Sequence, residues 1–383
     1  MRLLTVVFSA AVIALGVIPL RLHFAWRAAI AAAVSLVAGK YFVFRLLGCT
    51  NAFAPDLPRW FVHVTSWLYS IEFFWLLAAA VCALLHLALR GILRLAGRPL
   101  RIRWRILHNR INLGVLAAAF VLSTIGLACA TAEPRLRKLE VRPAGSADAP
   151  RPDPAATFTI AVLTDLHVDP STPAEQVRRI VERCNGLEPD LVVILGDNVD
   201  GTVERCGKLL EPLAGLRARC GVLAVTGNHE YYSGFAPWRE FFTAHGIRLL
   251  FNEVVMLPNG VAVAGIPDPQ GIRFGETPPD LAGTAAKLPA DRRAAVLLSH
   301  RPSCAREAAK LGFDLQLSGH THGGMVLGFD RLIAFFNGGY VSGDYRVGGM
   351  TLYVSNGTGI WSGFPIRIGR PSEIVLVTLR LAK

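Results

Sequence analysis

Two hydrophobic rhythms divide this chain. Up to residue 131 the apolar positions gather into long stretches, near 3–20, 28–48, 66–89 and 112–131, each approaching the roughly 20 residues a helix needs to cross a bilayer. The second contains Lys40 and the third Glu72, polar groups that a bundle-interior or snorkelling position accommodates. From residue 157 onward the runs are short, continuous and bounded by turn residues, which predicts mostly buried strands at 157–163, 191–195, 221–225, 261–264, 294–298 and 314–317. Helical spacing alternates with them at 172–187, 203–219, 237–245 and 302–311, the first opening with Ser171-Thr172-Pro173 and Glu175, a helix-start signal. Strands alternating with helices predict an α/β domain, a two-sheet sandwich flanked by helices and preceded by a helical transmembrane region. The expected organisation is 1–132 as that region, with about four helices, 133–156 as a linker, and 157–383 as a globular domain. The linker's centre, 143–154, is rich in Pro, Ala, Gly, Ser and Asp and lacks apolar periodicity.

Charge follows the same division. Residues 1–156 carry 18 Lys or Arg against 6 Asp or Glu, whereas 157–383 carry 22 against 22, so the net charge of +12 belongs to the front part. A neutral back domain argues against a nucleic-acid partner, whose phosphates need a basic surface on the binding domain. The arginines fit a bilayer instead. Arg90, Arg94, Arg98, Arg101, Arg103, Arg105 and Arg110 lie between the third and fourth stretches without an acidic residue, which places that loop in the cytoplasm. Arg21 and Arg27 favour the same side. The fourth helix would then export the back domain, with both termini outside. The first stretch has no small-x-small cleavage site before Pro19-Leu20-Arg21, so an uncleaved anchor is expected rather than a removed signal. The seven cysteines form no CxxC pair, which argues against cysteine metal ligation, and free thiols are the default.

Candidate chemistry lies in five polar clusters, each just after an apolar run: Asp165-Leu166-His167, Asp197-Asn198-Val199-Asp200, Asn228-His229-Glu230, His300, and His320-Thr321-His322. The region from 157 onward has six histidines, and only His245 stands outside these clusters. Together they supply carboxylate, imidazole and amide ligands for two divalent ions, the donor set that suits Mn, Fe or Zn. Asp165 and His167 can turn towards one ion where strand alternation ceases. Asp197 follows Gly196, which permits close backbone approach, and is the natural bridging carboxylate. Asn228 offers a neutral oxygen that leaves the ions more electrophilic.

Asp-x-His, Gly-Asp-x-x-Asp, Gly-Asn-His-Glu, a lone His and Gly-His-Thr-His, in that order, resemble the calcineurin-like metallophosphoesterase superfamily. The resemblance covers roughly 157–383, and the C-terminal stretch from Leu352-Tyr353-Val354 through Glu373-Ile374 is similar to membrane-anchored bacterial members. It implies Asp165, His167, Asp197 and His322 around one ion and Asp197, Asn228, His300 and His320 around the other. It further implies attack on a phosphate ester or pyrophosphate by a hydroxide held between two ions. His229 would then serve the leaving oxygen, with Asp200 on its other ring nitrogen fixing the tautomer. The expected location is a bacterial inner membrane with the domain on the extracytoplasmic side. A nuclease, or a membrane scaffold or sensor with a metal site that does not turn over, is the alternative.

Glu230 reads as a cap for the following turn, and Asp169 and Asp268 as turn residues. Arg301, Tyr231 and Tyr232 adjoin motif residues and suit either substrate contact or a plain surface. Leu327, Phe329, Leu332, Ile333, Phe335, Phe336 and Trp361 suit either core packing or an apolar rim that receives a lipid-linked phosphate.

Overall fold

A computed structural model of the chain describes residues 2–49, 51–97, 104–143 and 157–381. Arg98, Arg101 and Arg103 of the arginine-rich loop lie outside them, as does 144–156, most of the expected linker. The chain divides into two compact units. One comprises Met1–Cys129 with Ser362–Ile366, the other Ala130–Trp361 with Arg367–Lys383.

The first unit is helical: α1 (Arg2–Val12) running into a π-helical turn at Ile13–Val17, α2 (Phe24–Ala38), α3 (Lys40–Leu46), α4 (Arg59–Leu95) and α5 (Trp104–Thr131). By length and composition α4 and the 109–131 part of α5 suffice to cross a membrane, and α2 with α3 would make a third span bent by 71°. The apolar helix at 3–17 is shorter than a span, so among the described residues two or three spans stand where four stretches were expected. The bend falls at Gly39, whose missing side chain weakens a helix interior. Lys40, buried next to it, donates from Nζ to Ser66 Oγ at 3.0 Å and to the Gly363 carbonyl at 3.1 Å. Tyr41 Oη donates to the same carbonyl at 2.6 Å, and the Phe364 ring lies 5.6 Å from that of Phe73.

The second unit has two six-stranded sheets. Its strands are β1 (Arg135–Val141), β2 (Thr157–Leu163), β3 (Leu191–Ile194), β4 (Val222–Ala224), β5 (Ile247–Leu249), β6 (Glu253–Met256), β7 (Val261–Gly265), β8 (Ala294–Leu298), β9 (Leu315–Ser318), β10 (Gly343–Val347), β11 (Met350–Val354) and β12 (Glu373–Arg380). One sheet runs β1-β12-β2-β3-β4-β5 and the other β10-β11-β9-β8-β7-β6. Within them β2 to β5 are mutually parallel, as are β7, β8, β9 and β11. Alternate residues explain the layers. Val162, Val193 and Leu223 meet Val263, Val296 and Leu317 between the sheets.

The opposite faces carry the helices α6 (Ala174–Asn185), α7 (Val203–Leu210), α9 (Phe235–Ala244), α10 (Leu281–Ala285) and α11 (Ala305–Lys310), while the short α8 (Asn228–Tyr232) and α12 (Asp330–Phe336) lie in the connections after β4 and β9. Ala161, Val192 and Ile194 pack with Val177 and Ile180 of α6 and with Trp238 and Phe242 of α9. Burial on both faces is why the parallel strands read as unbroken aliphatic runs. The helix expected over 203–219 ends at Leu210 and continues as a 3₁₀ turn at Glu211–Gly215, because Pro212 has no N–H to extend the ladder. Strand β1 occupies part of the stretch expected as linker, pairing in parallel with β12.

Candidate metal centre

Every cluster sits at the carboxyl end of a parallel strand. Asp165 and His167 follow β2, Asp197 follows β3, Asn228 follows β4, His300 follows β8, and His320 and His322 follow β9. Parallel strands leave their carboxyl ends on a common edge, where open α/β sheets gather ligands. The backbone there is unusual. Asp165, His167, Asp197, His320 and His322 all have left-handed φ, between 47° and 71°, a region that costs a non-glycine residue free energy and recurs at functional sites. Two glycines let β3 and β4 close on each other: a Cβ on Gly196 would lie 2.1 Å from the Gly227 nitrogen, and one on Gly227 would lie 2.2 Å from Asp197 Oδ1.

The side chains converge in three groups whose donor atoms lie within 4.8 Å of one another: Asp165, His167 and His322; Asp197, His300 and His320; and His167, Asp200 and His229. His167 Nε2 is 3.0 Å from His322 Nε2, and His300 Nε2 is 3.1 Å from His320 Nδ1. Two donors on one cation, each at about 2.1 Å, stand roughly 3 to 3.4 Å apart. Asp197 Oδ2 joins the first two groups, 3.1 Å from His300 Nε2 and 3.9 Å from His167 Nε2. Asn228 is buried, and its Oδ1 has no hydrogen-bond partner among the described residues. An orphaned amide oxygen is costly unless something electropositive meets it. The donor set is therefore nitrogen and oxygen throughout, with tautomers open for ligation: His300 directs Nδ1 to the Leu195 carbonyl at 2.8 Å, which leaves Nε2 for the cleft.

Asp200 serves two rings. Its Oδ2 lies 3.0 Å from His167 Nδ1 and its Oδ1 contacts His229 Nδ1. Burial would raise this carboxylate, but the two imidazoles outweigh burial and hold it below the usual range. His229 moves the other way: burial disfavours its cation, yet Asp200 and Asp197 push it up to about 10. Burial and the neighbouring His300 push His320 down to about 3. Its neighbour His300 moves the other way: burial disfavours its cation, yet Asp197 pushes it up to about 10, so the two imidazoles of one donor group shift in opposite directions.

Glu230 does more than cap a turn. Its buried carboxylate accepts the backbone N–H groups of Asp197 at 3.0 Å, Asn198 at 2.7 Å and Gly227 at 2.7 Å, together with Asn198 Nδ2 at 3.1 Å. It fixes the two strand ends that present Asp197 and Asn228. Asp268 accepts from Gln270 N as a turn residue, and its carboxylate also takes a forked pair from Arg301 at 2.6 and 3.1 Å. Tyr231 is buried, with Oη 2.9 Å from Thr226 Oγ1, whereas Tyr232 is exposed and its ring lies 5.3 Å from that of His229. Trp361 flanks His229 at 6.4 Å. Arg367, absent from the sequence reading, is buried behind His322, donating to the Asn356 carbonyl at 2.7 Å and the Gly359 carbonyl at 3.0 Å. No motif marks it; an isolated arginine in a turn gives no signal until the fold surrounds it. All seven cysteines are free.

The chain matches the calcineurin-like phosphoesterase family over residues 158–324. An uncharacterized metallophosphoesterase of Campylobacter jejuni is 32% identical over 275 residues, covering 71% of this chain and 72% of the relative. A transmembrane protein with metallophosphoesterase domain from Danio rerio is 30% identical over 380 residues, covering 93% and 81%. A Helicobacter pylori metallophosphoesterase is 37% identical over 222 residues, 57% of this chain and 59% of that one, so the match spans less than two thirds of that relative.

Proposed function

The chain belongs to the calcineurin-like phosphoesterase family, and on that premise we propose that it is a membrane-anchored hydrolase of phosphate esters or pyrophosphates dependent on two divalent cations. Asp165, His167, Asp197 and His322 would hold one cation, and Asp197, Asn228, His300 and His320 the other. The observation that carries this reading is Asp197 Oδ2, placed between two converged donor groups, with the orphaned Asn228 oxygen. When bound, two cations supply Lewis-acid charge to the phosphoryl oxygens and acidify a water for in-line attack.

The protein's own groups do the rest. His229, held by Asp200 and favouring its cation, donates a proton to the leaving oxygen from Nε2. Asp200, by accepting from His167 as well, ties the orientation of that acid to the orientation of a ligand. Tyr232 and Trp361 wall the side on which the leaving group departs and exclude water from it. The two or three candidate spans support a bilayer location for this chemistry, and the arginine distribution favours an inner membrane with the hydrolase on its extracytoplasmic side. Substrates at the membrane surface, lipid-linked phosphoesters among them, follow from that placement. Nucleic acid is disfavoured as a substrate by the neutral charge of 157–383.

The test is hydrolysis of a soluble aryl phosphate by the full-length chain in detergent, after chelation and readdition of Mn, Fe or Zn separately. Metal-dependent turnover supports the proposal. Bound metal without turnover of aryl monoester, diester or pyrophosphate substrates would leave a sensor or scaffold as the reading, and activity confined to nucleic acid would make it a nuclease.

A further inference from the structure

The helix α12 is an anomaly in the second unit, because none of its residues is buried. Leu332 is 56%, Phe335 78% and Phe336 72% exposed, and Leu327 just before the helix is 62% exposed. The spacing of Leu332, Phe335 and Phe336, at i, i+3 and i+4, puts their side chains on one face. Soluble surfaces scatter large apolar groups singly, and a contiguous patch marks a binding surface.

Both ends of this helix are pinned. Asp330 accepts from the Gly328 N–H at 3.0 Å and pairs with Arg370 at 2.8 Å, and a Cβ on Gly324 would stand 2.7 Å from the Asp330 Cα. Leu327 is held by its N–H to the Ile368 carbonyl at 2.9 Å. At the other end Asn337, itself buried, donates to the Ile333 carbonyl at 2.9 Å, and the Gly339 N–H reaches the Ala334 carbonyl at 2.8 Å. The apolar face is thus held outward by the turn that follows His322 rather than exposed by fraying.

We propose that α12 and Leu327 form a bilayer-docking surface that seats in the interfacial layer of the membrane holding the helical unit. Two further observations select lipid as the occupant. Only Ala132, Glu133 and Pro134 separate the end of α5 from β1, a tether of about 10 Å even when extended, so a bilayer is the apolar phase the chain itself brings to this unit. The charges near the patch suit headgroups: Asp330 is neutralised by Arg370, while Arg331 is exposed on the same helix, the basic and aromatic combination of interfacial helices. The helix shares its connection with His322, so docking it would bring lipid headgroups to the mouth of the candidate metal centre. The docking proposal does not depend on turnover.

The experiment uses the full-length chain in vesicles of phosphatidylethanolamine and phosphatidylglycerol. A photoreactive side chain is introduced as Phe335→p-benzoylphenylalanine, with Lys208→p-benzoylphenylalanine as the exposed control on α7. On irradiation, lipid adducts at position 335 should exceed those at 208 about tenfold. Equal adducts at the two positions, or adducts at 335 to protein alone, would overturn the proposal. A second readout rests on the phosphoesterase reading: Phe335→Ser with Phe336→Ser should raise KM for a vesicle-borne phosphoester about tenfold, since each lost aromatic weakens insertion, and leave kcat/KM for a soluble aryl phosphate unchanged. An unchanged KM for the vesicle-borne ester overturns the docking role, whereas absence of any turnover by the unaltered chain strikes only the phosphoesterase reading.

Discussion

In the sandwich unit Asp165, Asp197, Asp200 and Glu230 are buried within one cluster together with His167, His300 and His322. In the helical unit Lys40 and Asn112 are also buried, but each stands among apolar helices with its own separate set of partners. The first arrangement leaves donor atoms deliberately open, as with Asn228 Oδ1. At Asn112 the second closes them: its side chain accepts from Trp75 Nε1 at 2.7 Å and donates to the Gly16 carbonyl at 2.5 Å, linking α4, α5 and the turn at Ile13–Val17. Buried polarity in one unit is poised for ligands and in the other serves helix packing, so substitutions in the two should have different readouts.

The largest effect is expected at Asp197, the carboxylate common to both donor groups. Asp197→Ala should abolish stoichiometric metal and lower hydrolysis by at least about a thousandfold, a loss on the scale of metal-assisted catalysis. Metal analysis of the purified chain beside an aryl phosphate assay checks it; a variant retaining both metals and full activity would erase the distinction between open and closed polar groups. His229→Ala comes next. It should cut kcat by about a hundredfold, within the range of general acid catalysis, while the metal content stays unchanged, which separates the acid from the ligands that surround it.

Glu230→Ala is a milder break of the same cluster. It leaves three backbone N–H groups and the Asn198 amide without their shared acceptor, and each unpaired buried group costs about 1 to 3 kcal/mol, less where water enters. The expected outcome is a fall in melting temperature of several degrees with weaker metal affinity, and Glu230→Gln should recover part of both. A melting temperature equal to that of the parent would return Glu230 to a simple cap.

How much of this was legible in the sequence follows from the same contrast. The seven proposed ligands were visible because Asp165, His167, Asp197, Asn228, His300, His320 and His322 each follow an aliphatic run, and buried parallel strands make such runs conspicuous. Strands β1, β5, β6 and β10 were not foreseen, since they are short or carry charge and lie at or near sheet edges where no continuous apolar signal is required. Glu230 was underread because its partners are backbone N–H groups, which leave no trace in residue type. Arg367 and the Arg301–Asp268 fork escaped for a related reason: their partners are distant in sequence and only folding brings them together. In the helical region hydropathy marked four stretches where two or three spans stand among the described residues, and the 71° bend at Gly39 left no break in the apolar stretch at 28–48.

The smallest expected effect tests the other side of the contrast. Asn112→Ala removes a side chain that meets the Trp75 indole N–H and the Gly16 carbonyl together, and Gly16 is packed so closely that a Cβ there would lie 2.7 Å from the Trp75 ring. An interhelical hydrogen bond in a membrane contributes about 1 to 2 kcal/mol at most, because the unfolded helices find other partners in lipid. The variant should therefore lose a few degrees of thermal stability in detergent while metal content and hydrolysis of a soluble aryl phosphate remain within about twofold of the parent. Thermal unfolding followed by tryptophan fluorescence, with activity measured on the same sample, checks both. If Asn112→Ala instead emptied the metal centre, the polar groups of the helical unit would belong to the same energetic network as the donor cluster, and the separation between poised and closed polarity would fail.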